Sequence, residues 1–110
     1  MTIPNKESAY IPHSKLVDYL LSQTHAIGKS KSKFFRRFGF DDTNVAVLEQ
    51  GLKKIAQEYE IIEKISIPYG EKYIIDGVLQ TPIGREIRVR TVWIIEKDES
   101  IPRFVTAHPA

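Results

Sequence analysis

The hydrophobic period of the chain changes once, near residue 60. Upstream, Val45, Leu48, Leu52, Ile55, Ala56 and Tyr59 recur at three- and four-residue spacing, which predicts an amphipathic helix. Downstream, "EIIEKISIPYG", "KYIIDGVLQ", "REIRVRTVWIIE" and "RFVTAH" are rich in β-branched and aromatic residues and are separated by the turn clusters "PYGE", "TPIG" and "KDESIP". Helices first and strands afterwards predict an α+β domain: two or three N-terminal helices on one face of a three- to four-stranded antiparallel sheet, with the strands in a meander.

The 110 residues suffice for one hydrophobic core. Residues 1–13 carry Pro4 and Pro12 and no periodicity, so they read as an arm that packs through Ile3, Tyr10 and Ile11, with a single domain over 14–110. Ser14 is a good N-cap for a first helix through "KLVDYLLSQ". "THAIG" breaks it, and a second helix is expected from Lys29 to Phe38, stopped by Gly39 at the left-handed cap position. "DDTN" then supplies capping residues for the third helix.

Charge distribution says more than net charge, which is only +2. Lys29, Lys31, Lys33, Arg36 and Arg37 place five cations in nine residues, threaded through Phe34, Phe35 and Phe38, while acids gather elsewhere. Lys31 is expected on the border of the buried stripe, with Lys29, Lys33, Arg36 and Arg37 solvated. With no cysteine, a disulfide framework, a thiolate nucleophile and a cysteine zinc site are all excluded. No apolar run reaches the roughly 18 residues of a membrane span, and the N-terminus lacks the apolar segment of a signal peptide. The expectation is a cytoplasmic protein with no membrane partner.

On the third strand Ile87, Val89, Thr91, Trp93 and Ile95 share one face, and Arg88, Arg90, Val92 and Ile94 the other. Two same-face guanidiniums can grip a phosphate, or can form salt bridges to Glu71 or Asp76. On the last strand Thr106 and His108 share a face that an antiparallel neighbour would set beside Arg88 or Arg90. Thr106 is equally a good β-former, and His108 lies close enough to the terminus to fray. His25, in a helix junction, has the pKa range of a general acid or base or else a structural role. The three histidines have no metal-ligand spacing, so neither metal nor cofactor is expected. A histidine, a lysine cluster, paired arginines and a hydroxyl, without metal or thiol, are the equipment of a metal-independent ribonuclease.

The runs "DYLLSQTHAIGKSKSKFFRRFGF", "YGEKYIIDGVLQTPIGREIRVRTVWII" and "IPRFVTAHP" resemble a bacterial family of unknown function, domain-of-unknown-function family 6883, found as small stand-alone proteins and as C-terminal domains of polymorphic toxins. Its pattern falls on His25, Gly28, Lys31, Arg85, Arg90, Thr91 and Thr106, with Ala26 replacing the common proline. The layout is similar to the barnase, EndoU, colicin tRNase and RelE group of ribonucleases. The resemblance implies a toxin-like ribonuclease of the toxin–antitoxin or polymorphic-toxin type. RNA would be its substrate, tRNA among the candidates, and an antitoxin or immunity protein its cognate partner. Catalysis would fall to His25, Lys31, Arg88, Arg90 and Thr106, the arginine at 88 being added from same-face geometry. Lys29, Lys33, Arg36, Arg37 and Arg85 would hold RNA. The alternative is a non-catalytic RNA- or protein-binding module.

Overall fold

The computed structural model describes residues 1–24 and 29–110, the side chain of Lys29 excepted. Its helical part contains α1 (His13–Lys15), a π-helical segment (Leu16–Leu20), α2 (Lys29–Arg37) and α3 (Val45–Glu58). These lie on one face of an antiparallel sheet of β1 (Glu63–Ile67), β2 (Gly70–Gln80), β3 (Glu86–Glu96) and β4 (Arg103–Pro109), ordered β1-β2-β3-β4. The α+β class and the meander are as the change of period predicts.

The helix starts depart from expectation. Ser14 is not a cap: the first helical turn follows Pro12 without a side-chain cap and passes at once into the π-helical segment, which buries Leu16 and Leu20. The wider turn closes with Leu21 N–H donating to the Leu16 carbonyl at 2.9 Å. Asn44 precedes α3 but makes no side-chain cap bond to it. Its amide braces the preceding turn instead, accepting from Asp41 N–H at 2.8 Å and donating to the Gly39 carbonyl at 2.8 Å.

Gly39 ends α2 as expected, at φ 97°. The N–H of Phe40 reaches the Phe35 carbonyl at 3.2 Å and that of Gly39 the Arg36 carbonyl at 3.0 Å, the paired bonds of a Schellman motif. The chain turns there so that Phe35 and Phe40 are both fully buried, ring centroids 6.2 Å apart.

Beneath the helices, β2 buries Tyr73, Ile75, Gly77 and Leu79, and β3 buries Val89, Thr91 and Trp93. From above, Leu48, Leu52, Ile55 and Ala56 of α3 complete the core. Gly77 sets the approach of α3, since a Cβ there would stand 2.8 Å from Ile55 Cγ2 and 3.0 Å from Tyr59 Cδ1. Thr91 is a core residue: its hydroxyl donates to the Ile75 carbonyl at 2.7 Å and accepts from Trp93 Nε1 at 2.8 Å.

The arm packs through the expected residues, with Ile3 and Ile11 buried. Tyr10 forms a parallel bridge to Arg103 on the outer edge of β4.

The β3–β4 ladder shifts register at Val92/Trp93: Trp93 pairs with Phe104 but Val92 with Thr106, so Val105 stands without a partner. By strict alternation Thr106 would follow Phe104 into the core. The bulge turns it, and His108 after it, to the face that the helices leave open.

Candidate functional site

That open face is where the ladder collects the arginines. Arg90 pairs with Asp76 on one side and with His108 on the other, and Arg88 with Val78. Arg90 Nε donates to Asp76 Oδ1 at 2.8 Å and Nη2 to Oδ2 at 3.0 Å, a bidentate pair. The carboxylate side chain is 10% exposed and the guanidinium 42%, so Asp76 sits beneath while the outer edge of Arg90 faces solvent. The hydrogen bonds from Arg90 hold the Asp76 carboxyl below the usual carboxylate range; burial opposes them, and the charges of Arg90, Arg88 and His108 add to the lowering. Asp76 in turn raises Arg90. The salt-bridge alternative for Arg90 is therefore realised, to Asp76 rather than Glu71. The Arg88 side chain is exposed and, among the described residues, makes no hydrogen bond or ion pair.

Thr106 lies about 7 Å along β4 from His108, given the rise of an extended strand. Its hydroxyl meets that of Tyr19, from the π-helical segment, at 3.1 Å. Lys31 Nζ stands 5.7 Å from the Tyr19 ring centroid and Lys15 Nζ 4.8 Å from it. Lys31 is half-buried at the border of α2, as its spacing predicts. Lys31, Tyr19, Thr106, His108, Arg90 and Arg88 thus follow one another from the helical layer onto the open sheet. His25 lies outside the described residues, as does the side chain of Lys29.

His108 lies within the paired part of β4. Its strand stays paired to Pro109↔Val89, and Ala110 N–H donates to the Arg88 carbonyl at 3.2 Å. Its Nδ1 lies 3.0 Å from the Pro109 carbonyl. A carbonyl can only accept, so Nδ1 carries the hydrogen and, in the neutral ring, the lone pair is on Nε2.

The basic residues of α2 divide in two. Lys33 and Arg37 are exposed and line a hollow of about 580 Å³ together with Gln23, Ser32 and Arg36. Arg36, expected to be solvated, is half-buried: Nε and Nη2 both donate to the Leu21 carbonyl, at 3.1 and 2.6 Å, and Nη2 also to Asp42 at 3.2 Å. A helix-end carbonyl without an intrahelical partner attracts such a fork. Arg85 is exposed in the β2–β3 turn, away from α2. A larger hollow, about 710 Å³, lies between α3 and β2 and has mixed charge, with Lys54, Glu58 and Glu86 on its walls. Among the described residues no three His, Asp or Glu side chains gather in a metal-binding group, and no helix is long and apolar enough to cross a membrane.

Tyr19 is the residue that sequence reasoning missed. Nothing in "KLVDYLLSQ" separates it from the packing residues around it, because its partner is 87 positions away.

A helical layer over a four-stranded meander, with cations and a histidine on the uncovered face, defines the class. The chain belongs to the family described as Domain of unknown function (DUF6883), whose model matches residues 2–110. No curated protein matches it. Among solved structures it is similar to a chain of a contact-dependent growth inhibition toxin–immunity protein complex from Klebsiella pneumoniae 342. The identity is 25% and the TM-score 0.73, over 92% of this chain and 99% of that one.

Proposed function

We propose that this chain is a toxin-type, metal-independent endoribonuclease that acts in the cytoplasm and is neutralised by a cognate antitoxin or immunity protein. The observation that carries the reading is the likeness, over nearly all of both chains, to a member of a growth-inhibition toxin–immunity complex. The succession of cations and hydroxyls from Lys31 to Arg88 supplies the chemistry.

In such a reaction the 2′-hydroxyl attacks the adjacent phosphorus, the phosphorane spreads negative charge over its oxygens, and the 5′-oxygen leaves with a proton. Arg88, Arg90 and Lys31 stabilise the phosphorane, Thr106 hydrogen-bonds a phosphate oxygen, and His25 transfers a proton. A positioned proton-transfer group contributes roughly 10²–10⁴ in rate, and preorganised cations at the developing charge often more. Lys29, Lys33, Arg37 and Arg85 draw in the RNA backbone, and Arg36 adds its charge to that field.

A non-catalytic RNA- or protein-binding module is the second reading. The Arg90–Asp76 pair favours it, because that guanidinium is already engaged within the fold.

Purified protein and its His25→Ala and Lys31→Ala variants, incubated with total tRNA in EDTA and followed by end-group analysis, decide between the two. Fragments with 2′,3′-cyclic phosphate ends from the wild type, lost in both variants, are expected. Intact RNA with the wild type overturns catalysis in favour of the binding module.

A further inference from the structure

We propose that His108 is the general base of this ribonuclease, taking the proton of the attacking 2′-hydroxyl on Nε2. The inference rests on the proposed function above and assigns within it a residue which that reading leaves without a role.

Three observations carry it. The first is the tautomer: the Pro109 carbonyl holds the hydrogen on Nδ1, so the neutral imidazole presents a proton-accepting Nε2. The second is position. His108 is paired with Arg90 across the β3–β4 ladder, so the base stands beside a guanidinium suited to the phosphate next to that hydroxyl. The third is backbone support, since the chain is hydrogen-bonded to β3 on either side of His108. Across the ladder His108 is opposite Arg90 of β3, which is itself opposite Asp76 of β2, with Arg88 two residues along β3 and Thr106 two residues along β4.

The step balances within the RNA. Nε2 gains the 2′-hydroxyl proton, the O2′–P bond forms, the P–O5′ bond breaks, and O5′ takes a proton from a separate general acid. The products are a 2′,3′-cyclic phosphate and a 5′-hydroxyl; solvent then takes the proton from His108 and gives one to the acid.

The test compares the protein with its His108→Gln and His108→Asn variants; the side-chain amide of the second can still donate to the Pro109 carbonyl. Cleavage of tRNA in EDTA is measured across pH, binding by fluorescence anisotropy, and folding by thermal melting. A parallel substrate is an RNA oligonucleotide whose scissile 5′-oxygen is replaced by sulfur, a leaving group that needs no acid. Expected are a loss of about 10²–10⁴-fold in rate in whichever variant melts like the wild type, binding within twofold, disappearance of the acidic limb of the kcat/KM profile, and no recovery on the sulfur substrate. Recovery on that substrate would make His108 the acid and overturn the assignment. An unchanged rate, or a loss of binding that matches the loss of rate, would overturn it also. A wild type that leaves tRNA intact refutes the ribonuclease itself, whereas a wild type that cleaves beside an equally active His108→Gln refutes only the base.

Discussion

Arg90 and Asp76 face each other across the β2–β3 ladder and are joined by two hydrogen bonds, with the carboxylate beneath and the guanidinium turned to solvent. The folded chain holds the Asp76 carboxyl below its ordinary value, so the unfolded chain binds that proton more readily. Stability from this pair is therefore present above the unfolded pKa, about 3.9, and is lost as pH falls through the lower folded value. Thermal melts between about pH 6 and 2 are expected to show a smaller acid-induced fall in Tm for Asp76→Asn than for the wild type. Parallel curves would remove the linkage.

Thr91→Val tests whether a residue shared with the family pattern acts through structure. The substitution keeps the side chain's shape but strands the buried Trp93 Nε1–H and removes the donor to the Ile75 carbonyl. Leaving a buried donor unpaired costs about 1–3 kcal/mol. Urea unfolding is expected to show a loss in that range, with tryptophan fluorescence reporting the changed indole environment. A loss of activity at unchanged stability would instead place Thr91 in the site.

Gly77→Ala bears on how α3 is seated. A methyl group there meets Ile55 at 2.8 and 2.9 Å and Tyr59 at 3.0 Å, so the helix must shift. Overpacking of this kind costs about 1–3 kcal/mol. The decisive comparison is the double variant with Ile55→Ala, which removes both contacted carbons, Cγ1 and Cγ2. It is expected to lose less than the sum of the two single losses, and strict additivity would refute the contact.

Arg36 and Arg37 are adjacent and are expected to behave differently. Arg36→Lys loses the planar fork on the Leu21 carbonyl and is expected to lower the melting temperature. Arg37→Ala, on the exposed side of α2, is expected to melt like the wild type while reducing the slope of log affinity for single-stranded RNA against log salt by about 0.7. Equal effects of the two substitutions on stability would refute this division.

The expectations that held were those set by short-range pattern. The spacing of Leu48, Leu52, Ile55 and Ala56 gives α3, and alternation along Ile87–Ile95 separates Arg88 and Arg90 from Val89, Thr91 and Trp93. Gly39 ends α2 for a local steric reason. What could not be read depends on distant partners. Arg36 resembles its neighbours in composition, and only the approach of Leu21 sets it apart. The Val105 bulge has no proline or glycine to mark it, yet it decides which face receives Thr106 and His108. The π-helical segment likewise follows from burial of Leu16 and Leu20 and not from any breaker in "KLVDYLLSQ".

The arm has a consequence for behaviour at high concentration. Tyr10 N–H donates to the Pro102 carbonyl at 3.0 Å, and Phe104 N–H to the Tyr10 carbonyl at 2.9 Å. At that point the outermost strand already has a short companion from its own chain. Exposed strand edges are templates on which other molecules assemble into aggregates. By occupying Pro102 and Phe104 the first residues act as a guard against polymerisation, a service to solubility that core packing alone would not provide.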